Sequence, residues 1–256
     1  MADPAASARR HRATLDVYES RAGEWLAARR RPRRDGVRAF AARLPDGAGP
    51  VVDLGCGPGW HLADLPDGTI AVDGAAAMLD LASRHAPSAP RIRADLLALP
   101  FARHSLGAVW AERSYVHLDR RTVPLAWWDL HRALHVGGLA HLGLFGGDHD
   151  HRSFDADTFA GRSFSGWPDD LLEHVLTGAG FTVVARTTRD APGAPYLGVT
   201  VRRERTLADT VGPGMRLLLV GLNPSLYAAD AGVGFARPGN RAWPALLAPG
   251  LADADR

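Results

Sequence analysis

Short apolar runs alternate with stretches of helical periodicity over most of this chain, the pattern of a parallel sheet with helices on both faces. The sharpest run is Val51-Val52-Asp53-Leu54, followed by glycines at alternate positions, Gly55, Gly57 and Gly59. It predicts a buried strand ending in a turn where a ligand meets backbone rather than side chains. Further strands are expected at 69–73, 91–95, 106–111 and 139–145, with helices at 75–84 and 122–135, the second stopped by Gly137-Gly138. The stretch 146–167 is polar and broken; Pro168-Asp169-Asp170 then opens another helix, with proline and acids in its first turn. Residues 181–187 and 196–203 alternate and are expected to pair antiparallel at the end of the sheet. Ahead of the glycine turn, residues 1–13 read as a disordered start, 15–34 as an arginine-dense helical stretch and 35–43 as a second helix. The pattern resets after Arg205: residues 215–225 read as a new buried strand and turn. The expected fold class is α/β and Rossmann-like, followed by an incomplete α/β segment.

Three predicted strands end in an acid: Asp53, Asp73 and Asp95. Asp73 is placed to accept from both ribose hydroxyls and Asp95 from an adenine amino group, which describes a nucleoside pocket at a topological switch point. The glycine spacing is G-x-G-x-G, not the G-x-G-x-x-G of a dinucleotide turn. An NAD-type or purely structural turn is the alternative. Together these residues closely resemble class I S-adenosylmethionine-dependent methyltransferases, over about residues 14–203. The resemblance implies seven strands with the last antiparallel, and S-adenosylmethionine as cofactor. It also implies that Gly55, Gly57 and Gly59 line the cofactor's methionine portion with Asp53 nearby, that Asp73 holds the ribose, that Met78 packs near the adenine, and that Asp95 with Leu96 binds its edge. The segment from Val17 to Trp25 is similar to one that precedes many small-molecule methyltransferase domains. There Tyr18 would cap the pocket as part of a mobile lid; a solvated basic helix is the alternative.

Composition narrows the picture. Hydrophobic residues make up 46% of the 256-residue chain, enough for a sizeable core. All 30 basic residues are arginine, which excludes Schiff-base and Walker lysine chemistry. The formal charge of +2 permits nucleic-acid contact without demanding it. No apolar run is long enough to cross a bilayer, so no membrane partner is expected. The single cysteine, Cys56, points to a reducing cytoplasm and to a packing role.

Methyl transfer from a sulfonium depends chiefly on alignment, with a base needed only for a protonated acceptor. The loop Glu112 to His117 is expected to face the methyl group, with His117 and Tyr115 as candidates for base or acceptor positioning. It lacks the N-P-P-Y and P-C signatures of DNA methylation, which leaves a small-molecule or nucleic-acid acceptor open. Asp148-His149-Asp150-His151 has metal-like chemistry, but four adjacent loop residues cannot all converge on one ion, so no metal is expected. About residues 207–256 resemble the opening of the mismatch-specific uracil/thymine DNA glycosylases. That resemblance implies that Asn223 positions the attacking water and that Phe235 to Trp243 shapes a base pocket, with DNA contact only if the domain were completed. Residues 204–256 are then a linker plus a truncated, poorly packed segment, inactive alone. The sequence therefore predicts a methyltransferase. Its rivals are a base-excision glycosylase with an accessory methyltransferase domain, and a module that binds S-adenosylmethionine without turnover.

Overall fold

The computed structural model describes residues 4–155, 157–191, 193–221 and 224–252. Three helices come first: α1 (Pro4–Ser20), α2 (Ala22–Ala28) and α3 (Asp35–Ala41). The sheet then builds through β1 (Val51–Leu54), β2 (Ile70–Asp73), α4 (Ala76–His85), β3 (Arg91–Arg93), β4 (Leu106–Glu112), α5 (Val123–Ala133) and β5 (Leu134–Gly146). The two-residue β6 (Gly166–Trp167), α6 (Asp169–Gly178), β7 (Phe181–Arg189) and β8 (Tyr196–Arg203) complete it. Strand order is β3-β2-β1-β4-β5-β8-β7, with β6 beside β5.

The order follows from the connections. Each helical crossover returns the chain parallel to the previous strand, so β1, β2, β3, β4 and β5 pair in parallel. The hairpin β7–β8 is antiparallel, and β8 wedges between β7 and β5, with Leu142 opposite Val199. β1 is buried along its whole length, as its apolar run requires. The main core lies where α5 and α6 cover β4, β5 and β8; in it Trp127 stacks on Trp167 at 5.3 Å between ring centroids. A second cluster packs Val37 and Phe40 of α3 on Trp110 from the other face.

Several sequence expectations shift. The start is not disordered from residue 4 onward: α1 begins at Pro4, and Arg21 separates it from α2, which ends at Ala28 short of the arginine cluster. α5 stops at Ala133, and β5 takes in Gly137-Gly138 instead of beginning after them. Seven strands form the main path, and the two-residue β6 adds an eighth.

The tail departs most. Residues 215–221 form no strand, and the side chains of Leu217, Leu218, Leu219 and Val220 are 47–78% exposed. An apolar run becomes a strand only where a sheet edge or covering layer receives it, and none does here. The tail is held elsewhere, by α7 (Leu226–Ala231) through buried Ala228 and Ala229 and an Arg205–Asp230 ion pair of 2.7 Å. The short α8 (Ala242–Leu247) buries no residue. Asn223 lies outside the described residues.

Candidate active site

The carboxyl ends of β1, β2 and β4 meet at one edge, on either side of the point where strand order reverses. Asp73 organises it. One carboxylate oxygen accepts from the Gly57 backbone N–H at 2.8 Å and the other from that of Ala75 at 2.9 Å, which ties the glycine turn to the end of β2. Gly57 sits at φ +52°, and a Cβ there would meet nothing within 4 Å, so the space on that side of its Cα is open. The other two glycines serve packing: a Cβ on Gly55 would run into Ser114, and one on Gly59 would lie 3.0 Å from Ala82 and Leu62. Cys56 is buried beside them, and burial pushes its thiol well above the ordinary range, leaving it inert.

Asp53 is 1% exposed, and its Oδ2 has no hydrogen-bond partner among the described residues. Burial, reinforced by the charges of Asp73 and Glu112, raises its carboxyl well above the usual carboxylate range. A buried orphan of this kind is stabilised by a cation or donor.

Asp95 is already engaged by the N-terminal helix. His11 Nε2 lies 3.0 and 2.9 Å from its two oxygens, and the Leu97 N–H donates to Oδ1 at 2.9 Å. Other polar groups of α1 dock nearby: Ser7 donates to Asp119, and the Thr14 hydroxyl accepts from the Ser163 N–H at 3.1 Å. Leu15 lies on Gly74, where a Cβ would be 2.7 Å away. Met78 is buried in the cluster that joins α4 to Tyr18, Trp25 and Leu26, and Leu96 packs half-buried on the main core.

The loop after β4 separates its two candidate residues. Tyr115 is 0% exposed, its hydroxyl has no partner among the described residues, and its ring meets Trp127 edge-on inside the core. It does not face the site, a correction that follows from the tight 3₁₀ turn at 115–117. His117 points the other way. Its Nδ1 lies 2.9 Å from the Ser163 carbonyl, which can only accept, so the neutral ring carries its proton there. Nε2 is then left to accept from the Tyr18 hydroxyl at 2.9 Å. Arg162 donates to the same phenol oxygen at 3.0 Å while bonding Asp157 through its other nitrogens. Burial, with the Arg162 charge in support, lowers His117 to about 4, so the imidazole is neutral at neutral pH.

The 148–151 segment is tied down by protein groups. Asp148 accepts from the Arg120 guanidinium at 2.9 Å, and Asp150 accepts from the Arg120 N–H at 2.8 Å and the Ser165 hydroxyl at 3.1 Å. Among the described residues no group of three His, Cys, Asp or Glu side chains could hold a metal. His11, Arg162, His141 and Tyr196 join this edge without having been singled out from sequence. His11 sits in the stretch read as disordered and Arg162 in the broken one, so neither carried a periodic signal.

Residues 51–138 match the model of a family described as a methyltransferase domain. This match covers about a third of the chain, which makes the chain similar to methyltransferases there. The structure titled as DhpI in complex with S-adenosylhomocysteine is similar to it at TM-score 0.59 and 25% identity, over 77% of this chain and 98% of that one. A second similar structure is the Burkholderia thailandensis 1,6-didemethyltoxoflavin-N1-methyltransferase, with 1,6-didemethyltoxoflavin and S-adenosylhomocysteine bound. It gives TM-score 0.58 and 19% identity, over 80% of this chain and 92% of that one. The [4+2]-cyclase SpnF shares the fold at TM-score 0.50 and 14% identity, over 66% of this chain and 80% of that one. Nothing in these likenesses supports the glycosylase-like reading of the tail. No helix among the described residues is long and apolar enough to cross a membrane.

Proposed function

We propose that the methyltransferase domain binds S-adenosylmethionine at the shared edge of β1, β2 and β3 and methylates a small-molecule acceptor beside the loop after β4. The observation that carries this is the open Gly57 turn tied to Asp73, next to a buried Asp53 oxygen without a partner. This donor set fits the cofactor. Asp73 retains lone pairs for ribose hydroxyls after serving two backbone amides. Asp53 offers a carboxyl whose ionisation an ammonium group would favour, and Asp95 with Leu96 offers an adenine edge once His11 moves aside. Met78, enclosed beneath α1 and α2, supports that wall from behind. When bound, S-adenosylmethionine supplies an electrophilic methyl on a sulfonium.

Tyr18 donates to His117 Nε2 and accepts from Arg162, which fixes the phenol; His117, lowered to about 4 by burial, positions that ring and does not serve as a base near neutral pH. α1 and the aromatic residues Tyr18 and Trp25 cover the edge and exclude water. That the B. thailandensis methyltransferase of this fold binds 1,6-didemethyltoxoflavin supports the small-molecule class here over nucleic acid. The fold alone does not fix the reaction, because a relative is titled a cyclase. The discriminating experiment is therefore product formation. Purified chain with S-adenosylmethionine and fractionated small-molecule extracts should release S-adenosylhomocysteine. Tight binding with no release under any acceptor would favour a binding module instead. For the tail we propose no glycosylase activity: a labelled G·U duplex should remain uncut, and an abasic product lost in Asn223→Ala would reverse this.

A further inference from the structure

Glu112 closes β4, and none of the roles above uses it. Its carboxylate lies over Gly143 of β5, where any Cβ would collide with Oε2. Tyr196 donates to Oε2 at 2.8 Å, and His141 Nε2 stands 3.5 Å from the same oxygen. Gly198 of β8 clears the floor beside them, since a Cβ there would be 3.1 Å from the Tyr196 hydroxyl. His141 is itself fixed by stacking on Trp110 at 3.9 Å. Three neighbouring strands thus hold one carboxylate in one place. Burial opposes its ionisation, yet His141, Arg113 and Tyr196 outweigh burial and hold the carboxyl below the ordinary glutamate range.

The other oxygen, Oε1, is poorly served. Its recorded partner is Arg113 Nε at 3.5 Å, beyond a good hydrogen bond. Arg113 is more than half exposed and sits at φ +57°, a left-handed backbone that costs a non-glycine residue energy. Its guanidinium lies over the Tyr196 ring, 5.5 Å from the centroid. Two further polar atoms at this edge, Ser114 Oγ and Asp53 Oδ2, are buried without partners among the described residues. A little-exposed anion with an underused oxygen, whose nearest guanidinium is distant and largely exposed, is better served by a ligand cation that brings its own N–H donors. A hydroxyl acceptor would supply one hydrogen bond and no charge.

We propose that Glu112 is the counter-ion that recognises an ammonium group on the acceptor, which displaces the Arg113 guanidinium; an ammonium nitrogen has no lone pair, so the methyl goes to another, unprotonated atom of that acceptor. This rests on the methyltransferase reading above and names its substrate class. Tyr196 is a positioning residue, aiming the carboxylate.

The full chain, saturated with S-adenosylhomocysteine, is titrated by calorimetry with tyramine, histamine and cyclohexylamine, and with 4-ethylphenol as the neutral counterpart of tyramine. At least one amine should bind tenfold or more tightly than 4-ethylphenol. Glu112→Gln, which keeps an acceptor for Tyr196, should weaken that amine tenfold or more while S-adenosylhomocysteine affinity stays within twofold. Tyr196→Phe should weaken it severalfold, and Arg113→Ala, at an exposed position that does not threaten folding, should tighten it about threefold. No preference for any amine, or an Arg113→Ala variant that binds amine no better, overturns the proposal. So does a Glu112→Gln variant that loses S-adenosylhomocysteine instead, which would place Glu112 on the cofactor. If the wild-type chain binds no S-adenosylhomocysteine at all, the methyltransferase reading fails first and this proposal with it.

Discussion

Asp73→Ala tests the cofactor site at its organising residue. The carboxylate serves the Gly57 and Ala75 amides at 2.8 and 2.9 Å, and a carboxylate has about four lone-pair sites, so roughly two remain for a ligand. Alanine removes all of them. The ligand loses its ribose acceptor, and two N–H groups lose a charge-assisted partner, so the turn that should carry the ligand's methionine end is no longer tied to β2. Unmet hydrogen bonds of this kind cost about 1–3 kcal/mol, which weakens S-adenosylhomocysteine by a factor of about 10–100. Calorimetry measures this, with circular dichroism confirming that the variant is folded. Asp73→Asn is the control for volume: it keeps one acceptor but turns an amide N–H toward the other backbone N–H, so it should fall short of wild type as well. A folded Asp73→Ala variant whose affinity stays within twofold would refute the assignment, and tighter binding of NAD would replace it.

Three other expectations are as direct. His11→Ala frees Asp95 for an adenine amino group, and losing a competing contact worth about 1 kcal/mol should tighten S-adenosylhomocysteine about fivefold; weaker binding would mean that His11 helps to hold the ligand. Burial lowers both His117 and His131 to about 4, so the unfolded chain takes up protons that the folded one refuses. The stability they contribute is complete above pH 6.5 and is lost as pH falls toward 4, about 3 kcal/mol apiece, and denaturant midpoints that do not drop between pH 7 and 4.5 would contradict it. Leu218→Asp, at a position 62% exposed, should leave the melting temperature unchanged within about 2 °C, because surface changes stay within about 0.5 kcal/mol; a marked drop would show that residues 217–220 pack as a strand after all.

The centre of the sheet was legible because β1, β2 and β4 are largely buried and read as apolar runs with an acid at or next to their ends. Asp53 and Asp73 reach one edge as their positions in the pattern implied. The tail shows the limit of the same signal. Leu217 to Val220 is as apolar as β1, but a strand needs a neighbour to take its backbone hydrogen bonds, and sequence does not say whether one is within reach. α1 was missed for the opposite reason. It has no strong apolar stripe, and what fixes it is a set of polar contacts from Ser7, His11 and Thr14 to residues 84–149 positions away. Tyr115 and His117 looked equivalent in the loop, and only the 3₁₀ turn sends one ring into the core and the other toward Tyr18.

The strain in this edge argues that it is built for an occupant. Asp53 is buried without a cation, Glu112 has an oxygen that reaches only a distant guanidinium, and Arg113 holds a left-handed backbone. A sequence selected for stability alone would replace such groups with apolar ones at no loss, since buried charges seldom repay their desolvation. The same chain satisfies comparable groups elsewhere: Arg162 is matched to Asp157 and Tyr18, and Asp129 to Arg132 and the Leu99 N–H. Buried atoms without partners among the described residues also occur elsewhere, on His151 and Arg203 for example, but where β1 and β4 end they include the acidic oxygen Asp53 Oδ2, whose missing partner is a donor or a cation. On the reading proposed above, a sulfonium cofactor with an α-ammonium group would meet that demand at Asp53, and the acceptor's ammonium would replace the distant Arg113 guanidinium at Glu112.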